Sequence, residues 1–383
     1  MTKYYFDNET FIIEDFQNAK TFSSFFPAVS GLDGKPLWAF YCNRGQCLSS
    51  FGVQSKNTPI IPFDTAFSAY QNISLKSFRT FIKANGKFYE PFSNLKNKKT
   101  KMKIDRAKLT IIENLKNFNI EVLYSTVPHE NFSALIRKVK ITNTSNNLIN
   151  FDLIDGLPII LPHGFSNYEY KELATLMSSY CVVENLKSKM PFIKFNTSNN
   201  DLGKFDSLEK FNESLSKINI DKVNNYINKN DELINNLLSP MEVSSNNKLF
   251  DQYAKQSLLD NNLRGGFPIK ISENVPYYVY GRKHGDMERD YNNFQINNSY
   301  YSCGEGHFRD VNQNRRSDIY LYPFVKNYNI KLFFNLLQID EHNPLNVKPS
   351  TFKIKDNISN KNDYFKIKQT NLYDQKLKIY KTC

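Results

Sequence analysis

The chain is poor in the features that build metal centres, crosslinked scaffolds and membrane spans. Its five cysteines (Cys42, Cys47, Cys181, Cys303 and Cys383) form an odd set without metal-type spacing. The five histidines (His129, His163, His284, His307 and His342) are scattered, and none makes an HxH or HExxH pattern. A metal site is therefore not expected. Cys42 and Cys47 flank Asn43-Arg44-Gly45-Gln46 and are spaced to face each other across a hairpin. Reduced thiols are the expected state for a cytosolic chain. The longest apolar stretch, around Leu157 to Leu161, is broken by Pro158 and is far too short to cross a bilayer. Met1 to Glu9 lacks the apolar run of a signal peptide. There is no internal repeat. These absences read as a soluble, cytoplasmic protein with no membrane partner.

Tryptophan is nearly absent as well. Trp38 stands alone against 31 Phe and 23 Tyr, yet aromatics still make up 14% of the chain and hydrophobic residues 40%. That is enough for a sizeable core, and 383 residues exceed one average domain. Many aromatics beside many Asn and Lys fit a β-rich globular protein better than a disordered one.

Net charge is +12 and the isoelectric point about 9.2, which raises nucleic acid or another polyanion as a partner. The densest basic run is Lys96, Lys98, Lys99, Lys101, Lys103, Arg106 and Lys108, expected as a solvated loop leading into a strand. It holds no aromatic residue on which a base could stack, and the remaining excess charge is spread along the chain. No nucleic-acid partner is expected.

The first part of the chain reads as strands and turns. Trp38 to Tyr41 and Cys47 to Phe51 flank a short turn carrying Gly45. Phe78 to Lys83 and Lys87 to Tyr89 flank Ala84-Asn85-Gly86, and Asn-Gly between aromatic-rich runs is a strong hairpin signal. Lys108 to Glu113, Asn119 to Ser125, Ser133 to Thr142 and Leu148 to Ile154 alternate apolar and polar side chains. Short strands repeated at this spacing predict an antiparallel β-sandwich. The pattern changes near residue 206. Leu208, Phe211 and Leu215 recur at helical spacing, as do Val223, Ile227, Leu233, Ile234, Leu237 and Leu238. A further helix is predicted from Asn246 to Asn262, stopped by Arg264-Gly265-Gly266-Phe267-Pro268. The last thirty or so residues are rich in Asn and Lys with weak periodicity.

Two polar clusters carry the chemistry. Tyr280 to Asn292 alternates acids and bases, and Gly304 to Arg316 packs two glycines, two acidic groups, three arginines, three carboxamides and a histidine beside only two apolar side chains. Such a segment cannot form a conventional core face, because buried polar groups need partners. One reading is a set of surface ion pairs. The other is a lined pocket, since Arg forks and carboxamides with an aromatic platform suit sugar hydroxyls or phosphate oxygens.

The run Gly304 to Asp318, GEGHFRDVNQNRRSD, resembles the substrate-binding loop of the cellobiose-phosphorylase family, glycoside hydrolase family 94. Its VNQNRR continuation is more similar to the 1,2-β-oligoglucan phosphorylases and the related module of cyclic β-1,2-glucan synthases. Also similar, in family order, are Tyr41 to Gln46 with Ser50-Phe51-Gly52, Phe78 to Phe81, Leu259 to Gly266, Arg282 to Asn292 and Asn343-Pro344-Leu345. The resemblance implies a β + α multidomain fold: an N-terminal β-sandwich over residues 1–205, linker helices over 206–265, and from 266 to 383 the start of an incomplete (α/α)6 barrel. It implies an inverting glycoside phosphorylase acting on β-glucooligosaccharides, β-1,2-linked, with inorganic phosphate as co-substrate and α-glucose 1-phosphate as product. No metal or organic cofactor is implied, since the reaction asks only for proton transfer and oxyanion positioning.

Carried over by position, Arg309 grips the sugar at the cleaved subsite. Asn314 falls where cellobiose phosphorylases place a sugar-binding aspartate, a departure that fits the β-1,2 branch. Asp310, Gln313, Arg315 and Asp318 are supports, and Asp286, Glu288, Arg289 and Asp290 line the barrel entrance. The family's general acid and phosphate-binding groups lie well downstream of this loop. A twelve-helix barrel needs roughly 300 residues, so the chain reads as the front of a phosphorylase, inactive alone, that works as a homodimer or with a downstream partner chain completing the barrel. The alternative is a non-catalytic carbohydrate-binding protein.

Overall fold

Alternating side chains and frequent turns produce antiparallel sheets in the computed structural model, which describes residues 2–93, 99–158, 161, 166–184, 192–195, 219–272, 275–281 and 294–350. The largest sheet has six strands in the order β1 (Lys3–Asp7), β2 (Thr10–Glu14), β9 (Lys99–Ile104), β10 (Leu109–Asn114), β11 (Phe118–Thr126) and β12 (Leu135–Asn143). A four-stranded sheet runs β3 (Ser23–Phe25), β4 (Trp38–Cys42), β5 (Leu48–Gly52), β6 (Pro59–Ile61). A three-stranded sheet runs β13 (Phe151–Gly156), β7 (Arg79–Ala84), β8 (Lys87–Tyr89). One core joins all three: Met102, Ile111 and Val122 from the first, Ala39, Leu48 and Ile61 from the second, Ile82 and Ala84 from the third. Three two-stranded ribbons follow: β14 (Cys181–Glu184) with β15 (Phe192–Phe195), β16 (Phe267–Ser272) with β17 (Val275–Val279), and β18 (Gly306–His307) with β19 (Asn346–Val347).

The expected hairpins form. Asn85 and Gly86 both take positive φ (47° and 76°) between β7 and β8, as a tight Asn-Gly turn requires. Across the β4–β5 turn the Cys42 amide donates to the Cys47 carbonyl at 2.8 Å. Both thiols are buried and free; burial pushes the Cys42 thiol up to about 12 and the Cys47 thiol well above its ordinary value. Asn43 in that turn is wholly buried and fully used. Its Oδ1 accepts from the Phe22 amide at 3.0 Å, and its Nδ2 donates to the Phe16 and Lys20 carbonyls at 3.2 and 2.9 Å.

Three expectations change. The basic run is not a loop from Lys99 onward but strand β9 itself. Thr100 and Met102 point into the core while Lys99, Lys101 and Lys103 alternate outward, which is how a strand carries three lysines without burying one. Lys96 and Lys98 lie outside the described residues. Helix α1 (Ala66–Lys76) interrupts a region read as all strand, seating Ala69 and Ile73 against Cys42. The strand expected from Leu148 begins at Phe151. Short helices α2 (Asn167–Glu172) and α3 (Ala174–Ser179) precede β14, and α2 opens on a complete capping box between Ser166 and Glu169.

Helix α4 (Ile220–Leu238) presents Tyr226, Ile227, Leu233, Ile234, Leu237 and Leu238 to the interior at the expected spacing. Buried Asn230 pins it to β11, donating to the Thr126 hydroxyl at 2.9 Å. Helix α5 (Lys248–Gly265) is capped by Asn247, whose Oδ1 accepts from the Leu249 and Phe250 amides at 3.0 and 3.2 Å. It runs three residues past the expected end and stops at Gly266, whose φ of 99° suits only glycine. The helical pattern of Leu208, Phe211 and Leu215 lies outside the described residues. Three short helices close the described part: α6 (Phe308–Arg315), α7 (Asp318–Leu321) and α8 (Tyr328–Asn335). Among the described residues no helix is long and apolar enough to cross a membrane.

One guanidinium ties two of the main sheets to the β4–β5 turn of the third. Arg137 on β12 forks onto both carboxylate oxygens of Asp155 on β13, one at 2.8 Å, and its Nη2 also donates to Gln46 Oε1 at 2.7 Å and Thr80 Oγ1 at 3.2 Å. Its Cζ sits 4.6 Å from the Phe78 ring centre. The Arg137 side chain keeps only 8% of its exposure, so removing it strands a part-buried carboxylate. Arg137→Met is expected to cost about 3–5 kcal/mol of stability in urea unfolding. Arg137→Lys is expected to recover little of it, because an ammonium cannot fork onto three acceptors.

Candidate functional site

The Gly304 to Arg316 segment, expected as a loop, is a short strand followed by a helix. Phe308 and Val311 stand three residues apart, and that single apolar stripe packs on Phe333, Leu336 and Val347. The Phe308 and Phe333 rings meet edge to face at 5.4 Å. Two apolar side chains are enough to orient a two-turn helix when other elements supply the opposite wall. The entry to the helix is fixed by Asn343-Pro344-Leu345, where the Leu345 carbonyl accepts the Phe308 amide at 3.1 Å.

This orientation divides the predicted residues. Arg309, Asp310 and Gln313 line the solvent side of α6. The Arg309 side chain is 89% exposed, and among the described residues it pairs with its neighbour, Nε to Asp310 Oδ1 at 3.3 Å. Gln313 lies one turn further along the same face and is exposed. Asn314 and Arg315 turn the other way. Asn314 is half-buried, and its Nδ2 donates back to the Asp310 carbonyl at 2.6 Å. It packs so closely on the end of α5 that a Cβ on Gly265 would lie 2.9 Å from the Asn314 Cβ. Arg315 donates through Nε to the Gly265 carbonyl and lays its guanidinium on the Tyr278 ring, Cζ 3.6 Å from the ring centre.

Below that stack lies a buried polar cluster. Asp318, 5% exposed, accepts from the Tyr278 hydroxyl at 2.7 Å and from Asn329 Nδ2 at 3.3 Å through one oxygen. Asn329 Nδ2 also donates to the Tyr278 oxygen at 2.7 Å. Tyr278 stacks on Tyr328 with ring centres 6.2 Å apart. Tyr322 lies alongside, its hydroxyl accepting from Asn262 at 3.4 Å. Burial pushes the Asp318 carboxyl up to about 6, although the Tyr278 hydroxyl, the Arg315 charge and Asn329 all favour the ionised form. Burial also pushes the Tyr278 hydroxyl up and draws the Arg315 guanidinium below its ordinary value. The Asn329 Oδ1 is buried with no partner among the described residues.

The structure thus brings Arg315 and Asp318 together, holds Asn314 beside them, and sets Arg309, Asp310 and Gln313 on the open face above. Asp286, Glu288, Arg289 and Asp290 lie outside the described residues. Tyr278, Asn329 and Tyr322 belong to the cluster and are not singled out by the sequence, and Asn262 is marked there only as a member of the Leu259 to Gly266 stretch. Each is one Tyr or Asn among many, and of the other three only Tyr278, two residues before the Tyr280 to Asn292 run, has any positional cue. Three separated stretches meet here: Leu259 to Gly266 through the Gly265 carbonyl, Gly304 to Asp318 through α6, and Asn343 to Leu345 through the Phe308 amide. Among the described residues no group of three or more His, Cys, Asp or Glu side chains is placed to hold a metal ion.

Chemically, the open face offers a guanidinium, a carboxylate and a carboxamide at helical spacing, a set suited to vicinal hydroxyls. In the cluster beneath them Tyr278, Asp318 and Tyr322 are buried, and Arg315 and Asn329 partly so. The cluster's raised carboxyl has a consequence with a definite sign. Asp318 holds its proton in the folded chain between its unfolded value near 4 and its folded value of about 6, so stability falls as pH rises through that window. Asp318→Asn is expected to remove this slope. Relative to that variant, the wild-type chain should lose about 3 kcal/mol between pH 4 and pH 7, read from urea midpoints at half-unit steps.

No protein-family model matches the chain, and no curated protein sequence matches it.

Proposed function

We propose that this chain binds β-glucooligosaccharides, β-1,2-linked, as the sugar-binding front of an inverting glycoside phosphorylase. The observation that carries the reading is the convergence of the three stretches on one helix, with Arg309, Asp310 and Gln313 projecting from a base held by Arg315 and Asp318. Stretches far apart in sequence that resemble one family and meet in space support a shared site better than any of them does alone. On this reading the three main sheets are the β-sandwich, α4 and α5 are linker helices, and α6 to α8 open an (α/α)6 barrel.

The reaction is a single displacement. A phosphate oxygen attacks the anomeric carbon from the face opposite the leaving sugar, the glycosidic C–O bond breaks, and a carboxylic acid protonates the departing oxygen. Arg309 holds the sugar hydroxyls by its fork, with Asp310 and Gln313 completing the contacts. Asp318 acts by position, because a carboxyl so buried and already bonded to Tyr278 and Asn329 meets no bound sugar. The second reading is a carbohydrate-binding protein without turnover, which keeps the same sugar contacts on α6.

Titration calorimetry with sophorose and sophorotriose tests the common part of both readings. The wild-type chain is expected to bind, and Arg309→Ala to weaken binding at least tenfold with an unchanged unfolding midpoint, since its side chain supports no packing. Unchanged affinity in that variant removes Arg309 from the site. Release of α-glucose 1-phosphate in the presence of phosphate separates enzyme from binding module.

A further inference from the structure

A second site lies at the far end of α5. A half-open cavity of about 680 Å³ separates the β-sheets from the first turns of that helix. The size falls within the range of small-ligand pockets, about 300–1,000 Å³. Phe6, Phe11, Phe25 and Tyr41 wall it from the sheet side, and Phe250 and Tyr253 from the helix. Several of these rings are open to solvent. Phe6 is 42% exposed, Phe250 55% and Tyr253 68%, a concentration of accessible aromatic surface that a folded chain does not need for its own core.

The polar groups on the rim narrow the ligand. The cations there are already answered: Arg106 binds Glu9 at 2.7 Å and Lys108 binds Asp231 at 2.6 Å, while Asp105 accepts from the Thr10 hydroxyl. Arg106 accordingly holds the Glu9 carboxyl below its ordinary value. An anionic ligand would have to break one of these pairs. The neutral groups are less committed. Asn247 caps α5 through its Oδ1 and lines the cavity, and Gln256 is an exposed carboxamide on the same helix. Ser24 and Tyr41 add a hydroxyl pair. A wholly apolar ligand would strip water from these groups and return nothing.

We propose that this cavity is a second carbohydrate site, in which neutral pyranose units lay their apolar faces on Phe250 and Tyr253 and direct hydroxyls to Asn247 and Gln256. The sugar class follows from aromatic platforms beside uncharged donors and acceptors. The choice of a β-1,2-glucan as first probe rests on the reading above, whereas the site itself does not.

The decisive experiment uses the full chain carrying Arg309→Ala, so that the α6 face is disabled and only the cavity is read. Sophorotetraose, cellotetraose and maltotetraose are titrated into it, with Phe250→Trp added as a reporter. The single native tryptophan, Trp38, is fully buried, so a shift in exposed emission comes from the cavity. Binding of at least one tetrasaccharide is expected, with a blue shift of the reporter and at least tenfold weakening by Tyr253→Ala. Tyr253 is mostly exposed, so its loss should leave the unfolding midpoint unchanged. No emission shift with any of the three sugars, or binding indifferent to Tyr253→Ala, overturns the proposal. An anilinonaphthalene dye that binds the cavity while no saccharide displaces it overturns it too. None of these outcomes bears on the α6 face, which is tested in the Arg309 wild-type background.

Discussion

Arg137 is the constraint on which the arrangement of sheets depends. Three antiparallel sheets can share an apolar core in many registers, since apolar contact is non-directional. A guanidinium that must satisfy Asp155, Thr80 and Gln46 at once permits one. Its net contribution to stability is small compared with the core, because taking both charges out of water costs about as much as their attraction returns. Its effect is on specificity: a sheet displaced by one residue leaves a charge unanswered, and that error costs several kcal/mol. The same logic places the polar side chains of Gln46 and Thr80 inside a core that otherwise excludes them. Gln46 donates to Thr80 at 2.9 Å, and Thr80 donates to Asp155 at 2.6 Å, so each partner of the guanidinium is also bonded to another.

How much of this was legible depended on the kind of signal. Alternation marked β10, β11 and β12, and the Asn-Gly turn marked β7 and β8, because each is a local pattern with a local cause. Helix α1 was missed since its inward residues are two alanines and one isoleucine, a stripe too weak to stand out from neighbouring strands. The helix at Phe308 was read as a loop for a related reason. Its apolar face is two residues wide, and what makes it a face is Phe333 and Val347, some twenty-five and forty residues away. In the candidate site, Arg315 and Asp318 were visible as charged residues in an unusual cluster. Tyr278 and Asn329 were not, because nothing about a single tyrosine or asparagine announces that a carboxyl will be buried beside it.

The two polar hubs obey one rule with opposite outcomes. At Arg137 the carboxylate partner is held by a fork and by the Thr80 hydroxyl, and the guanidinium is raised above its ordinary value despite burial. At Arg315 the guanidinium is spent on an aromatic ring and a carbonyl, neither of which carries a full charge, and burial wins: Arg315 is lowered and Asp318 raised. The first hub is a structural lock. The second is a base whose charge state is finely balanced, directly beneath the face argued to meet the ligand.

Helix α5 connects the two candidate sites. Its first turns wall the aromatic cavity with Phe250 and Tyr253, and its last residue gives Arg315 a carbonyl. Eighteen residues at about 1.5 Å each put the two ends roughly 27 Å apart. Between them Leu258, Leu259 and Leu263 are locked into the same core as α4 and β17, so the helix can neither roll nor slide without opening that core. On the proposed readings, two weak sugar contacts held at a fixed separation on one rigid element would gain affinity for a long glucan and none for a short one, with no conformational change.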